Sequence, residues 1–255
     1  TPGRRVLQRF EGRLIEIEAT SYDPGAVLNA AIKEAHAPII VFQNSDGVPL
    51  TQHTLQKLVD AFNDPGVDAA LARQLVRPEA DTWVRKDYAI SFPDADRVPD
   101  WIRMSLPLAA MRKSAWEKHP FYTDAWASED TEWGEWAVRN GMTIRYVRDC
   151  LAMHSHNYTL KQIYGRKFVE GEADAFIYDA RPSALKAGVQ CLKGCARDLV
   201  TYFQHRDFVN IPMIFPRNVV YQWAHYKGLK LGAERIATGD TDASKGQVNV
   251  LSRYD

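Results

Sequence analysis

The sequence predicts an α/β fold: a mostly parallel sheet covered by helices on both faces, three layers in all, with a helical appendage at the C-terminal end. Three observations predict it. Between residues 26 and 71, amphipathic helical stretches alternate with short apolar runs, the rhythm of βαβ units. One of those runs, Pro38-Ile39-Ile40-Val41-Phe42, has no polar alternation, as in a parallel strand buried on both faces. Beyond Ser183 the apolar residues keep a helical spacing and no strand pattern returns.

Arg13 to Glu18 alternates in the manner of a strand, and Ser21-Tyr22-Asp23-Pro24-Gly25 reads as a turn. Ala26 to Ala35 places Val27, Ala30, Ala31 and Ala35 on one helical face. The run 38–42 is the next strand and ends in the polar loop Gln43 to Pro49. Thr51 to Phe62 is a helix stopped by Asn63-Asp64-Pro65-Gly66, and Val67 to Leu71 a strand. Residues 76–100 are rich in Pro, Asp and Arg without periodicity, which predicts a loop or flap. Ser105 to Arg112 is a buried segment and Lys113 to Lys118 a short helix. Asp130 to Asn140 is a helix ended by Gly141. Thr143 to Val147 is a strand, and Tyr158 to Asp179 a helix. Ser183 to Gln204 and Val219 to Leu231 are further helices, and the tail from Gly239 is expected to be poorly ordered.

Composition narrows the classes. Lys plus Arg and Asp plus Glu are both 32, for zero net charge. A protein built to wrap duplex nucleic acid is basic, so no nucleic-acid partner is expected. The 45% hydrophobic content excludes a mainly disordered chain. Three scattered cysteines make no disulfide framework and no zinc pattern. Reduced thiols in the cytoplasm are expected. No apolar run reaches the roughly 18 residues that span a bilayer.

Five clusters are candidates for chemistry. Asn44-Ser45-Asp46 follows an apolar strand, where a carboxylate can hold a cation on phosphates; a turn-forming Asp is the plain alternative. Ser128-Glu129-Asp130-Thr131-Glu132-Trp133 offers a carboxylate to take a proton from a hydroxyl; a helix cap at Ser128 explains it as well. His154-Ser155-His156 can complete a metal shell begun by Asp46. Residues two apart point oppositely on an extended chain, so one histidine at most is expected in a given site. Arg166-Lys167 can hold a diphosphate, or form a solvated helix face. The C-terminal stretch borders an apolar stripe with Lys186, Lys193, Arg197 and Arg206. Such a stripe can lie on an anionic membrane surface or pack on its own domain.

Taken in order, these pieces resemble family 2 glycosyltransferases of the GT-A fold, in particular their bacterial rhamnosyltransferase-like branch. Asn29-Ala30-Ala31-Ile32 with Ala35 looks like the family's RN-x-(G/A)-x-x-x-A helix. Ile40 to Asp46 with Pro49 looks like its strand and D-x-D loop. Phe62-Asn63-Asp64-Pro65 with Val67 and Ala72-Arg73-Gln74 resembles F-x-D-P-x-V … G-R-Q. Ala110 to Trp116 resembles an acceptor-side segment containing Arg112. Pro120-Phe121, Glu129-Asp130, Trp133, Gly141, Tyr146-Val147 and His154 resemble its P-F … E-D-x-x-w … G … H block.

The resemblance implies a metal-dependent, inverting transfer of a sugar from a nucleotide-diphosphate donor to a hydroxyl of a cell-surface polysaccharide or lipid-linked glycan. It implies Asp46 as a ligand of Mg²⁺ or Mn²⁺, with His154 the favoured second ligand and His156 the lesser one. Asp130 is the general base and Glu129 its fallback. Asn29, Asn44, Arg166 and Lys167 lie on the donor side, Trp133 and Arg112 on the acceptor side. Two features depart from the pattern: Asn44 replaces the first Asp of D-x-D, and the family's opening strands have no counterpart. Only Pro2 to Phe10 matches, as the helix before the third strand. The chain is therefore expected to be a fragment, or to have its sheet edge completed by a partner chain. The expected division is a GT-A-like domain over 1–180, a helical extension over 181–238 and a flexible tail over 239–255. A peripheral contact with the cytoplasmic face of the membrane is one expectation for the extension. The alternative function is a non-catalytic sugar-nucleotide or glycan-binding subunit derived from the same family.

Overall fold

A computed structural model describes residues 12–18 and 22–240. The expected helix within Pro2–Phe10 and the tail from 241 lie outside the described residues. Helix α1 (Pro24–Glu34) starts at Asp23, whose carboxylate accepts from Ala26 N–H at 2.7 Å. Strands β1 (Ile39–Gln43) and β2 (Val48–Pro49) flank the Asp46 loop. Helix α2 (Thr54–Asp60) runs into a 3₁₀ turn, Ala61–Asn63. Then come β3 (Ala69–Leu75), α3 (Thr82–Ser91), β4 (Leu108–Arg112), α4 (Lys113–Lys118), α5 (Glu129–Arg139) and β5 (Ile144–Met153). Helices α6 (Leu160–Tyr178), α7 (Ala184–Gln204) and α8 (Ile214–Thr238) complete the chain.

Among the described residues the sheet has five strands in the order β1-β4-β3-β5-β2. Successive residues of β3 and β4 serve opposite faces, as pleating requires. Ala69, Leu71, Ala109 and Met111 meet Ile32, Trp116, Trp133 and Ala137 on one side. Ala70, Ala72, Leu108 and Ala110 meet Leu58, Ala61 and Phe62 on the other. The three-layer α/β arrangement therefore holds.

Four details differ from the sequence reading. The sheet is mixed: among the described residues only β3–β5 runs parallel, and the other three pairings are antiparallel. The apolar run 38–42 is thus no buried parallel strand. Among the described residues β1 is an edge, antiparallel to β4, with Phe42 its one buried residue. Arg13–Glu18 forms no strand, because alternation needs a ladder partner. Leu14, Ile15 and Ile17 are exposed, and Arg13 pairs with Glu34. Residues 76–100 hold α3, whose charged residues dilute its periodicity.

Helices α6 and α8 approach so closely that side chains are excluded at the crossing. A Cβ on Gly228 would run into Phe168 O and lie 2.8 Å from Glu172 N. The buried Arg235–Glu172 pair locks the same interface, and Arg235 Nη2 donates to Asp124 O at 2.7 Å. Gly228→Ala is expected to force the helices apart and cost about 1–3 kcal/mol, read as a lower denaturation midpoint. An unchanged midpoint would mean that the crossing is pliable.

Candidate active site

The Asp46 loop is pinned by its backbone. Asn44 N–H donates to Pro107 O at 3.1 Å, Gly47 N–H to Asn44 O at 3.0 Å, and Gln43 Nε2 to Gly47 O at 3.2 Å. A side chain at Gly47 would strike Pro107 O, so the loop closes only with glycine there. Arg77 Nη2 donates to Asp46 O at 3.1 Å. Asn44 itself is exposed.

Past the end of β5 the chain leaves the pleat, and the two histidines come together. His156 Nε2 lies 2.7 Å from Asp46 Oδ2 and His154 Nε2 3.6 Å from it. The potential ligand atoms of all three residues fall within 4.8 Å of one another. The expectation that at most one histidine enters the site is corrected: alternation applies inside a strand, and β5 ends at Met153. Of the two, His156 stands nearer to Asp46.

The cluster has a second layer of support. His154 Nδ1 lies 2.9 Å from Gln74 Oε1 and 3.0 Å from Tyr88 Oη. Donation from Nδ1–H to Gln74 leaves the Nε2 lone pair facing Asp46. Burial holds His154 down at about 4, against the opposing pull of Asp46, so its imidazole is neutral near pH 7. Burial also raises the Tyr88 phenol, which stays protonated. Tyr158 stacks on His156 with centroids 5.3 Å apart, and the Arg166 guanidinium lies 4.9 Å from the Tyr158 centroid. Ser155, almost fully buried, accepts from Arg77 N–H at 2.9 Å. A cleft of about 260 Å³, lined by Arg77, Glu79, Ala80, Ser155, His156 and Asn157, opens beside the cluster.

Gln74 connects this cluster to the second acidic site. Its Nε2 donates to Ser105 Oγ at 2.8 Å, and the next residue's N–H, that of Leu106, donates to Asp130 Oδ2 at 3.3 Å. Asp130 Oδ1 accepts from Thr131 N–H at 2.7 Å. Burial raises the Asp130 pKa and these N–H donors oppose the rise. Glu129 is pushed up to about 8, first by burial and then by the charge of Asp130. Ser128 is not a side-chain cap. It sits at φ 67° and makes no cap hydrogen bond, and its carbonyl accepts from Glu132 N–H.

The raised Glu129 has a consequence for stability. Its ordinary value is 4.5. Between there and about 8 the native state holds a proton that the unfolded chain has released. Stability from this group therefore falls as pH rises through that window. Glu129→Gln is expected to raise Tm by on the order of 3 °C above the window and by almost nothing near its lower end. Calorimetry at both pH values checks this, and a pH-independent difference would contradict it.

Four expected site residues do other work. Trp133 is fully buried in the core, not on an acceptor surface. Arg112 donates to Val67 O at 2.8 Å and Phe62 O at 3.0 Å and lies over the Phe62 ring. It clamps the turn before β3. Asn29 Oδ1 accepts from Trp116 Nε1 at 2.8 Å and Phe121 N–H at 3.0 Å, and its Nδ2 donates to Phe121 O at 2.7 Å. Both acceptor positions and one of the two donor hydrogens thus serve Trp116 and the 121 segment. Lys167 pairs with Glu170 and lies 4.4 Å from the Tyr221 centroid, in the contact between α6 and α8. Gln74 figures in the sequence only as the last residue of the G-R-Q-like run, without a site role, although it stands near the carboxyl end of an Ala- and Leu-rich strand; Tyr88 and Ser105 carry no signal of their own.

Comparison with known proteins bears on the family and the fold. Residues 4–128 match the family described as Glycosyl transferase family 2. The O-antigen chain rhamnosyltransferase RfbN of Salmonella typhimurium is 25% identical over 234 residues, covering 86% of this chain and 72% of that protein. The O-antigen chain rhamnosyltransferase WbaN of Salmonella anatum is 24% identical over 244 residues, covering 90% and 75%. Among solved structures, the mannosyltransferase PcManGT of Pyrobaculum calidifontis, in complex with GDP-Man and Mn²⁺, superposes with a TM-score of 0.50 at 14% identity. It covers 98% of this chain, which spans 63% of that one, and the likeness concerns the fold. The ordered motifs and the sequence relatives converge on glycosyl transferase family 2, whose model matches residues 4–128, and the GT-A-like fold is consistent with it.

Proposed function

We propose that this glycosyltransferase inverts the anomeric centre while moving a sugar, rhamnose being favoured by the names of its relatives, from a nucleotide-diphosphate donor to a hydroxyl of a cell-surface polysaccharide or lipid-linked glycan. The observation that carries the reading is the meeting of Asp46, His154 and His156, linked through Gln74 and Ser105 to the segment that holds Asp130. Asp130 accepts the proton of the acceptor hydroxyl as its oxygen bonds to the anomeric carbon. The bond from that carbon to the diphosphate oxygen breaks with its electron pair, and the nucleoside diphosphate departs. Asp46, His154 and His156 would hold a divalent cation. One carboxylate with two imidazoles fits Mn²⁺ better than Mg²⁺, which prefers oxygen ligands. When bound, the cation supplies positive charge for the departing diphosphate. Arg166, held over Tyr158 beside His156, steadies the same group.

The test incubates the full chain with Mn²⁺, a panel of nucleotide-diphosphate sugars that includes nucleotide-activated rhamnose, and a lipid-linked oligosaccharide acceptor. One donor should give transfer with an inverted linkage, lost on chelation. A retained linkage, or transfer that survives chelation, would overturn the reading. Donor binding without transfer to any acceptor would favour the non-catalytic alternative.

A further inference from the structure

Helix α7 is amphipathic the wrong way round for packing on its own domain. Its buried residues are Cys191, Gly194, Asp198, Thr201 and Tyr202, with no aliphatic side chain among them. Asp198 accepts from Arg217 Nη2 at 2.9 Å and Asn218 Nδ2 at 2.8 Å and pairs with Lys86 of α3. These bonds hold the helix by its polar side. The opposite side carries Leu185, Val189, Leu192, Leu199, Val200 and Phe203, all exposed, with Leu185 at 80% and Leu192 at 68%. At 100° per residue these six fall in one narrow stripe along the whole helix. Phe203 meets Phe208 edge-on at 5.6 Å, which carries the apolar surface into the following loop, where Val209 is 88% exposed.

Charge indicates what covers the stripe. Lys186, Lys193 and Arg197 are exposed in a row along one flank, and the only acidic residue of the helix, Asp198, is buried. Residues 181–240 hold nine Lys and Arg against four Asp and Glu, although the whole chain is neutral. Positive charge has thus been gathered onto the part that shows the apolar stripe. No helix among the described residues is long and apolar enough to cross a membrane. An exposed apolar stripe with a cationic flank suits a helix lying in the plane of an anionic bilayer interface.

We propose that α7 docks this protein on anionic lipid, its leucine and phenylalanine stripe entering the boundary between headgroups and acyl chains while Lys186, Lys193 and Arg197 meet lipid phosphates. The inference stands independently of the proposed reaction.

The test is co-sedimentation of the full chain with vesicles of phosphatidylcholine alone and of phosphatidylcholine with phosphatidylglycerol, at low and high salt. Two variants accompany it: Leu192→Glu with Phe203→Glu, and Lys186→Glu with Lys193→Glu and Arg197→Glu. All five positions are exposed, and circular dichroism melts confirm folding. The unaltered chain should sediment with the anionic vesicles and be weakened by salt. The first variant should lose at least about tenfold in partitioning and the second roughly 100-fold on anionic vesicles. The unaltered chain left in the supernatant with anionic vesicles, or both variants sedimenting as it does, would overturn the proposal. So would a dimer, seen by sedimentation velocity, that Leu192→Glu splits, because a second copy would then cover the stripe.

Discussion

Asp130→Asn is expected to cut sugar transfer by about 10²–10⁴-fold while donor binding persists. The substitution keeps the size of the side chain and one acceptor oxygen, and gives up one of the two bonds from Leu106 N–H and Thr131 N–H, so a denaturation midpoint is read alongside to confirm folding. What it removes is the ability to take a proton. General bases contribute about 10²–10⁴-fold, and a fall of that size is expected in kcat. The donor Kd should stay within about twofold, because a group acting only in the transition state adds nothing to ground-state binding. Paired turnover and calorimetric titrations check both. A kcat within about tenfold of the unaltered chain would remove Asp130 as base and shift attention to Glu129. The pH profile gives an independent reading. Burial raises the Asp130 carboxyl, so the acid limb of kcat should lie above the ordinary carboxylate range.

Loss of Asp46 or His156 should be felt first in the cation and only through it in the donor. Asp46 brings the only carboxylate to the three-residue cluster, and His156 Nε2 is its near partner at 2.7 Å. Asp46→Asn is expected to weaken Mn²⁺ binding by at least about 100-fold, more than the 10–100-fold typical of outer-shell changes. His156→Ala should cost more than His154→Ala, since His154 stands 3.6 Å from the carboxylate. Gln74→Leu should fall in the outer-shell range, because it removes the acceptor that orients His154. Calorimetric Mn²⁺ titrations with and without a nucleoside diphosphate separate the effects. Donor binding that declines equally with and without Mn²⁺ would show that the cluster positions the loop without holding a cation.

Much of the fold could be read locally. Helices α1, α4, α5 and α6 begin and end within two residues of their sequence-based limits, because amphipathic spacing and stop residues such as Gly141, at φ 74°, act over a few residues. Helix α7 is equally legible, but α8 begins five residues before and ends seven after the expected 219–231. Helix α3 was missed because its charged residues mask a short apolar face. Arg13–Glu18 was over-read because alternation specifies a strand only when a neighbour supplies the ladder.

The candidate site divides along the same line. Asp46, His154, His156 and Glu129-Asp130 were recognisable as a series because their residue types and order survive in the chain. Whether they meet was beyond the reach of spacing. Asp46 and His154 are more than a hundred positions apart, and they converge only because β2 pairs with β5 and both histidines lie just past that strand. Tertiary packing also decided which polar residues are spent internally. Asn29, Arg112 and Lys167 look available in sequence, but folding gives each a partner. The orientation of α7 belongs with these. Its apolar stripe was visible as a period, and the period alone predicts burial. The buried Asp198, held by Lys86, Arg217 and Asn218, turns that face outward. Residue type and order thus determined the family and the chemistry on offer, because they act locally. Which groups meet, and which face water, followed from contacts between residues far apart in the chain.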